Sequence, residues 1–459
     1  MGGLKEIKAL IFGMKRSGKA AANVLLELGA KVAITDKRPA GELEEELKDF
    51  LLSSIRLYLG GHPEEALKDR DLVVLSPGVP SDLPILDKAR SMGIPVISEL
   101  ELGYELIKAA NPNADFYAVT GTNGKSTTTT LLGLMLAKSK IKSLVAGNIG
   151  NAISGEIERA RSAKAVVLEV SSFQLETIKY FKPKAASILN IAPDHLDRYR
   201  SFREYAEAKA RIFENQSSED FIVLNADDPP TMALYREKLE GKEDAPIACF
   251  FGKGRKLKGV YEMDGRVFIN LPGLDMELIR NDEIKIQGVH NLENAMAAGL
   301  MALLAGAQPE SIASVLREFP GLEHRMEHVL ELDGVLYIND SKGTNPPATL
   351  RSIESFKNPI VLILGGRDKN GDFESLREAV RRNVRAIVLM GEAAEKIKKA
   401  LTGTVEMHMA ESLKGAVSTA RGLAGRGDAV LFSPACASFD MFRDFEDRGG
   451  KFKEEVKLL

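Results

Sequence analysis

The sequence predicts an α/β protein with parallel sheets throughout, divided into three domains, on three observations. Short β-branched runs at residues 7–12, 32–35, 72–75, 117–120, 166–170, 188–190, 360–364, 387–390 and 430–432 alternate with helical stretches, the order that lays parallel strands beside crossover helices. The 459 residues exceed what one core fills and, at roughly 150 residues per domain, give about three domains. Breaks stand at Asn111-Pro112-Asn113 and at Pro320-Gly321, the second after a helix over 309–319, and divide the chain into 1–106, 107–321 and 322–459.

Charge narrows the partners. Lys and Arg total 62 against 65 Asp and Glu, interspersed in sign, so no basic face for nucleic acid stands out and small molecules are expected. The two cysteines, Cys249 and Cys436, match no metal or redox spacing and read as reduced thiols of a cytoplasmic protein. No apolar stretch approaches the ~18 residues of a membrane span, and a monomer is the default expectation.

Taken in order, the first element is the turn Gly13-Met14-Lys15-Arg16-Ser17-Gly18, which follows a strand and opens a helix, while Asp36 ends the next strand. It looks dinucleotide-like, yet it misses the G-x-G-x-x-G spacing that a Rossmann oxidoreductase needs.

The strongest local signal is Val119-Thr120-Gly121-Thr122-Asn123-Gly124-Lys125-Ser126-Thr127, again between a strand and a helix. Glycines let successive N–H groups point at one anion, and the helix N-terminus adds its positive end. Lys125 brings a charge and Ser126 an oxygen for Mg²⁺. Its two glycines are closer than in the common G-x-x-x-x-G-K-[ST] loop, but ATP is the ligand this pattern predicts.

Downstream, Glu169 ends a strand and is a metal-ligand candidate. His195 lies between Asp194 and Asp197 in a loop, and alone would read as a structural imidazole, one of six histidines in the chain. Lys209, in Tyr205-Ala206-Glu207-Ala208-Lys209, alone would read as a surface lysine. Glycine-rich, charged segments between about 235 and 288 look like turns between short strands. Asn291 and Asn294 stand one turn apart at the start of a helix expected over 295–305; plain capping is the competing account.

Together with Gly147-Asn148-Ile149-Gly150 and His290-Asn291-Leu292-Glu293-Asn294, these stretches in this order resemble the Mur ligases, three-domain enzymes that add amino acids to UDP-muramic acid precursors. The resemblance covers nearly the whole chain. It implies a Rossmann-like N-terminal domain that binds UDP, a central P-loop-type ATPase domain and a Rossmann-like C-terminal domain that binds the amino acid. Asn339-Asp340-Ser341-Lys342-Gly343-Thr344-Asn345 and Ser433-Pro434-Ala435-Cys436-Ala437-Ser438-Phe439-Asp440 are similar to stretches of members that add D-glutamate.

What the resemblance implies is specific. ATP would be held by Gly121 to Thr127, with Asn291 and Asn294 toward adenine, Arg325 at the phosphates and Asp340 at the ribose. Two Mg²⁺ ions are implied, at Ser126 and Glu169 and at His195 and a carbamylated Lys209. Lys125, His195 and Lys209 would carry catalysis. UDP-N-acetylmuramoyl-L-alanine would lie against Ser17, Gly18, Asp36, Lys37, Arg38, Ser76, Pro77, Gly78 and Asn148. D-glutamate would meet Lys342, Thr344, Lys369, Ser438, Phe439 and Phe445, since a dicarboxylate that loses water needs such donors.

Overall fold

A computed structural model of the protein describes residues 5–43, 47, 55–195, 198–286 and 288–459. The chain forms two compact units. Met1–Ile191, Arg203–Glu283 and Glu293–Arg317 make one; Ala192–Phe202, Ile284–Leu292 and Glu318–Leu459 make the other.

The first unit carries two sheets. In the first, β1 (Lys8–Phe12), β2 (Lys31–Asp36), β3 (Arg56–Leu59), β4 (Leu72–Leu75) and β5 (Val96–Ser98) are parallel in the order β3-β2-β1-β4-β5. Leu10, Phe12, Val73 and Leu75 sink into one cluster with Leu67 and Leu86, and Ala9, Ile11 and Val74 between them are fully buried on the other face, which explains why β1 and β4 read as unbroken apolar runs.

The second sheet holds β6 (Asp115–Thr120), β7 (Ser143–Gly147), β8 (Ala165–Glu169), β9 (Ala185–Ile188), β10 (Phe221–Asn225), β11 (Ile247–Lys253), β12 (Gly259–Met263), β13 (Arg266–Leu271) and β14 (Leu274–Arg280). Its nine strands run β14-β13-β12-β11-β10-β9-β6-β8-β7. Strands β6 to β12 pair in parallel, whereas β12, β13 and β14 form an antiparallel meander.

The second unit holds β15 (Glu327–Leu332), β16 (Val335–Asn339), β17 (Ile360–Gly365), β18 (Val384–Met390), β19 (Glu406–Met409) and β20 (Ala429–Phe432), in the order β15-β16-β20-β17-β18-β19. Alternation along β17 builds two cores. Ile360, Leu362 and Leu364 pack on one face with Ile387 and Leu389, while Val361 and Ile363 pack on the other with Val388, Phe432 and Phe452.

Three expectations are corrected. Sheets are not parallel throughout, because the turns Asp264-Gly265 and Asp333-Gly334 close tight antiparallel pairs, β12-β13 and β15-β16. The strand expected at 188–190 lies at Ala185–Ile188; its small residues fit between β6 and β10, and residues 189 and 190 already belong to the loop. The helix expected at 295–305 spans Val289–Leu304, so Asn291 and Asn294 lie inside it. The expected 106/107 boundary falls within the helix Glu99–Ala110. Among the described residues, no helix is long and apolar enough to cross a membrane.

Candidate active site

Parallel pairing brings three strand tips together. β6 lies between β8 and β9, with Val119 opposite Glu169 and Thr120 opposite Ile188. The phosphate loop, the Glu169 carboxylate and the Asn190 loop therefore leave the sheet side by side, where open α/β sheets build their sites.

The loop takes its shape from two glycines. Gly121 has φ +148° and Gly124 φ +87°, the latter capping the helix Lys125–Lys138. A Cβ on Gly124 would overlap Asn294 Oδ1. Asn190 grips the loop from β9: its Oδ1 accepts from Asn123 N at 2.9 Å, its Nδ2 donates to Asn123 O at 3.0 Å, and its backbone carbonyl accepts from Thr122 N at 2.9 Å. Thr122 Oγ1 and the Tyr205 hydroxyl share a hydrogen bond at 3.1 Å. Lys125 Nζ donates to the carbonyls of Gly121 and Thr122, both at 2.8 Å, so the ammonium is held over the loop that it is expected to serve.

Beside it, Glu169 is 3 % exposed. Asn148 Nδ2 donates to its Oε1 at 2.7 Å, and its Oε2 is buried with no protein partner. A carboxylate oxygen buried in that way is suited to a cation. Ser126 is buried in the first helical turn. Lys209 is not a surface lysine: it is 2 % exposed, donates to Gly121 O at 2.9 Å and lies 4.5 Å above the Tyr205 ring. Asn294 keeps its amide Nδ2 buried without a partner, available to a ligand beside Gly124. Among the described residues, no group of three or more His, Cys, Asp or Glu side chains is assembled for a metal.

At the N-terminal sheet, Asp36 receives Met14 N at 2.9 Å and a two-pronged grip from Arg38, Nε at 3.1 Å and Nη2 at 2.9 Å. Burial pulls its pKa up, but Arg38 and the two backbone amides outweigh it and hold the carboxyl below its ordinary range. Ser76 Oγ donates to Gly13 O at 3.4 Å, and a Cβ on Gly18 would overlap that same carbonyl. The Gly13–Gly18 turn, Asp36 and Ser76 thus form one cluster, with Lys37 and Gly78 exposed at its margin.

The second unit gathers the other expected residues. His195 adopts φ +54° and its ring lies 3.8 Å from Asp194 Oδ2, which also receives Asn345 Nδ2 at 2.9 Å. Asp340 follows β16 and is buried; its Oδ2 accepts from Ser352 and Ser433, both at 2.7 Å, and burial pushes its pKa up against these bonds and the Arg325 charge. Arg325 Nε has no protein partner. His290 is driven down to about 4 by burial and then by the charges of Arg325 and Arg351.

Lys342 Nζ sits 5.2 Å from the centre of the Phe445 ring. Ser438 is buried, whereas Lys369 and Phe439 are exposed. Arg448, 1 % exposed, ties this region together: it donates to Ser341 Oγ at 2.9 Å, Ser341 O at 2.7 Å, Cys436 O at 3.1 Å and Ala437 O at 3.2 Å. Both loops expected around the amino acid hang from that one guanidinium.

Sequence reasoning missed Asn190, Tyr205 and Arg448 as functional parts. Asn190 and Tyr205 stood inside stretches already singled out, and their nearness to His195 and Lys209 was the available signal. Arg448 offered none.

The fold and this site define the class of three-domain phosphate-loop proteins. Family models match along the chain: Mur ligase MurD-like, N-terminal domain, over residues 7–98, Mur ligase middle domain over 119–302, and Mur ligase, glutamate ligase domain, over 324–436. A UDP-N-acetylmuramoylalanine--D-glutamate ligase of Caldanaerobacter subterraneus is 44% identical over 462 residues, covering 99% of each chain. One of the same name from Thermoanaerobacter pseudethanolicus is 44% identical, again over 99% of each. Among solved structures, MurF ligase from Thermotoga maritima in complex with ADP shares the fold, with a TM-score of 0.61 at 17% identity, covering 100% of this chain and 96% of that one. The chain belongs to the Mur ligase family.

Proposed function

We propose that the chain is an ATP-dependent amide ligase that adds D-glutamate to UDP-N-acetylmuramoyl-L-alanine in peptidoglycan precursor synthesis. The observation that carries the reading is the full-length likeness, 44% over 99% of the chain, to relatives named for that ligation. The phosphate loop and the buried acidic strand end beside it supply the means.

A carboxylate has no good leaving group, so the γ-phosphoryl of ATP first passes to the alanyl carboxylate and gives an acyl phosphate. The D-glutamate amine then attacks that carbonyl, and the tetrahedral intermediate expels phosphate. Lys125, with the loop amides of Gly121 to Thr127, offsets charge on the transferring phosphoryl. Asn291 and Asn294 face adenine, Arg325 the phosphates and Asp340 the ribose.

A divalent cation fits the unpartnered Glu169 Oε2 with Ser126. The family pattern assigns a second cation to His195 and to Lys209 once its amine is carbamylated, since an ammonium would repel the ion. Bound Mg²⁺ supplies charge neutralisation on phosphate oxygens. Ser17, Gly18, Asp36, Lys37, Arg38, Ser76, Pro77 and Gly78 face the UDP substrate from a domain of residues 1–106, and Asn148 meets its diphosphate from the central domain. The ATP domain is 107–321. Lys342, Thr344, Lys369, Ser438, Phe439 and Phe445 hold the glutamate in 322–459. The protein works as a cytoplasmic monomer without nucleic acid or membrane partners.

Phosphate release with ATP, Mg²⁺, bicarbonate and UDP-N-acetylmuramoyl-L-alanine tests this, comparing D-glutamate with L-glutamate, L-lysine, meso-diaminopimelate and L-alanine. Release that depends on D-glutamate alone is expected. Stimulation by another amino acid would overturn the assignment of the C-terminal loops, and release with none would overturn the acceptor.

A further inference from the structure

The loop after β7 lies between the first sheet's helices and the Glu169 carboxylate, and it is fastened on both sides. On the Glu169 side, Asn148 N donates to Glu169 O at 2.9 Å and Asn148 Nδ2 to Glu169 Oε1 at 2.7 Å. A Cβ on Gly147 would overlap Glu169 O, so the two strand ends approach backbone to backbone.

On the other side, Glu99, 1 % exposed in the first turn of the helix Glu99–Ala110, accepts from Ser154 N at 2.8 Å and from Ser154 Oγ at 2.6 Å. The same helix packs a bare glycine against the loop: a Cβ on Gly103 would lie 2.6 Å from Ile153 Cγ2 and 2.9 Å from Ser154 N. The helix Arg16–Glu27 closes the opposite flank, where a Cβ on Gly155 would lie 3.6 Å from Ala20 Cβ. Arg16, the first residue of that helix, donates from Nη2 to Asn148 O at 3.3 Å.

Packed parts of this kind move together, because a close-packed contact has no slack to absorb a shift. We propose that Glu99 and Arg16 are positioning residues for the cation site: through the 147–155 loop and the Asn148 amide they fix which oxygen of Glu169 is left for the divalent ion. This rests on the reading of Glu169 as a metal ligand. Arg16 adjoins Ser17 and Gly18 of the UDP-substrate turn, so the donor domain itself sets the geometry of the metal carboxylate. Partners that orient a metal carboxylate by hydrogen bonds tune affinity by about 10–100-fold when removed. Glu99 and Arg16 act one step further out, and about three- to tenfold follows.

The test is a Mn²⁺ titration of the full chain with ADP, followed by electron paramagnetic resonance, on the wild type and on Glu99→Ala, Glu99→Gln and Arg16→Ala. Glu99→Ala and Arg16→Ala are expected to need about three to ten times more Mn²⁺ for half-saturation, while ADP affinity in EDTA stays at the wild-type value. Glu99→Gln retains both the shape and an acceptor for Ser154 and is expected to restore the wild-type titration, while the unchanged ADP affinity in EDTA separates a shift at the cation site from a general loss of structure. Arg16 is exposed, so Arg16→Ala keeps the test decisive even where Glu99→Ala lowers the melting temperature. Superimposable titrations for wild type and Arg16→Ala would overturn the inference alone. Absence of Mn²⁺ binding by the wild type would overturn the metal reading of Glu169 and the inference with it.

Discussion

Asn294 Oδ1 occupies the space that a side chain at Gly124 would need, so the amide and the bare glycine form one complementary pair across 170 residues of chain. Gly124→Ala meets both that overlap and a φ of +87°. It is expected to cost about 1–2 kcal/mol of stability and to weaken ADP binding by about tenfold, which corresponds to about 1.4 kcal/mol. Calorimetric titration with ADP and a urea melt check the two effects separately.

Lys125→Ala removes the ammonium held over Gly121 O and Thr122 O. Turnover is expected to fall by about a hundred- to a thousandfold with the fold intact by circular dichroism. His195→Ala should likewise abolish turnover in the phosphate-release assay, and near-normal rates in either variant would remove that residue from the site.

Arg448→Met removes the donor shared by Ser341 Oγ, Ser341 O, Cys436 O and Ala437 O, of which Ala437 O keeps Arg367 N at 2.9 Å. A loss of about 3–5 kcal/mol is expected, read from denaturant midpoints. Because both loops proposed to hold the amino acid hang from this guanidinium, KM for D-glutamate should rise in a partly folded preparation while KM for ATP changes little.

The folded His290 ring is held at about 4, below its ordinary 6.5. The unfolded chain therefore binds the proton more readily between these values. Stability from this residue is intact above 6.5 and is lost as pH falls from 6.5 toward 4. Thermal melts across pH 4–7 should show the wild type losing stability more steeply than His290→Gln; parallel curves would refute the assignment.

Legibility followed how local the physical signal was. The runs in β1, β4 and β17 and the loop from Gly121 to Ser126 carry their meaning in adjacent residues, through burial on both faces or through glycine at positive φ. Asn190 and Arg448 do not. Their roles come from atoms 67 and 107 positions away, and a lone asparagine or arginine gives no sign of what it will face. The start of the helix Val289–Leu304 was hidden for a related reason: Gly288, at φ +100°, opens it by accepting from Asn291 N and Leu292 N, so the asparagines sit where a cap was expected to precede them.

Glu101 gives the chain an indivisibility that its three family matches conceal. Its fully buried carboxylate takes the amides of Lys179 at 2.9 Å, Tyr180 at 2.6 Å and Phe181 at 3.1 Å. A fragment beginning at residue 119, where the middle match begins, would leave those three N–H groups with no anion to cradle. The helix Glu99–Ala110 is thus on loan to its neighbour: whoever dissects this enzyme should cut ahead of Ser98, whose hydroxyl caps the helix, and let the helix travel with the ATP domain.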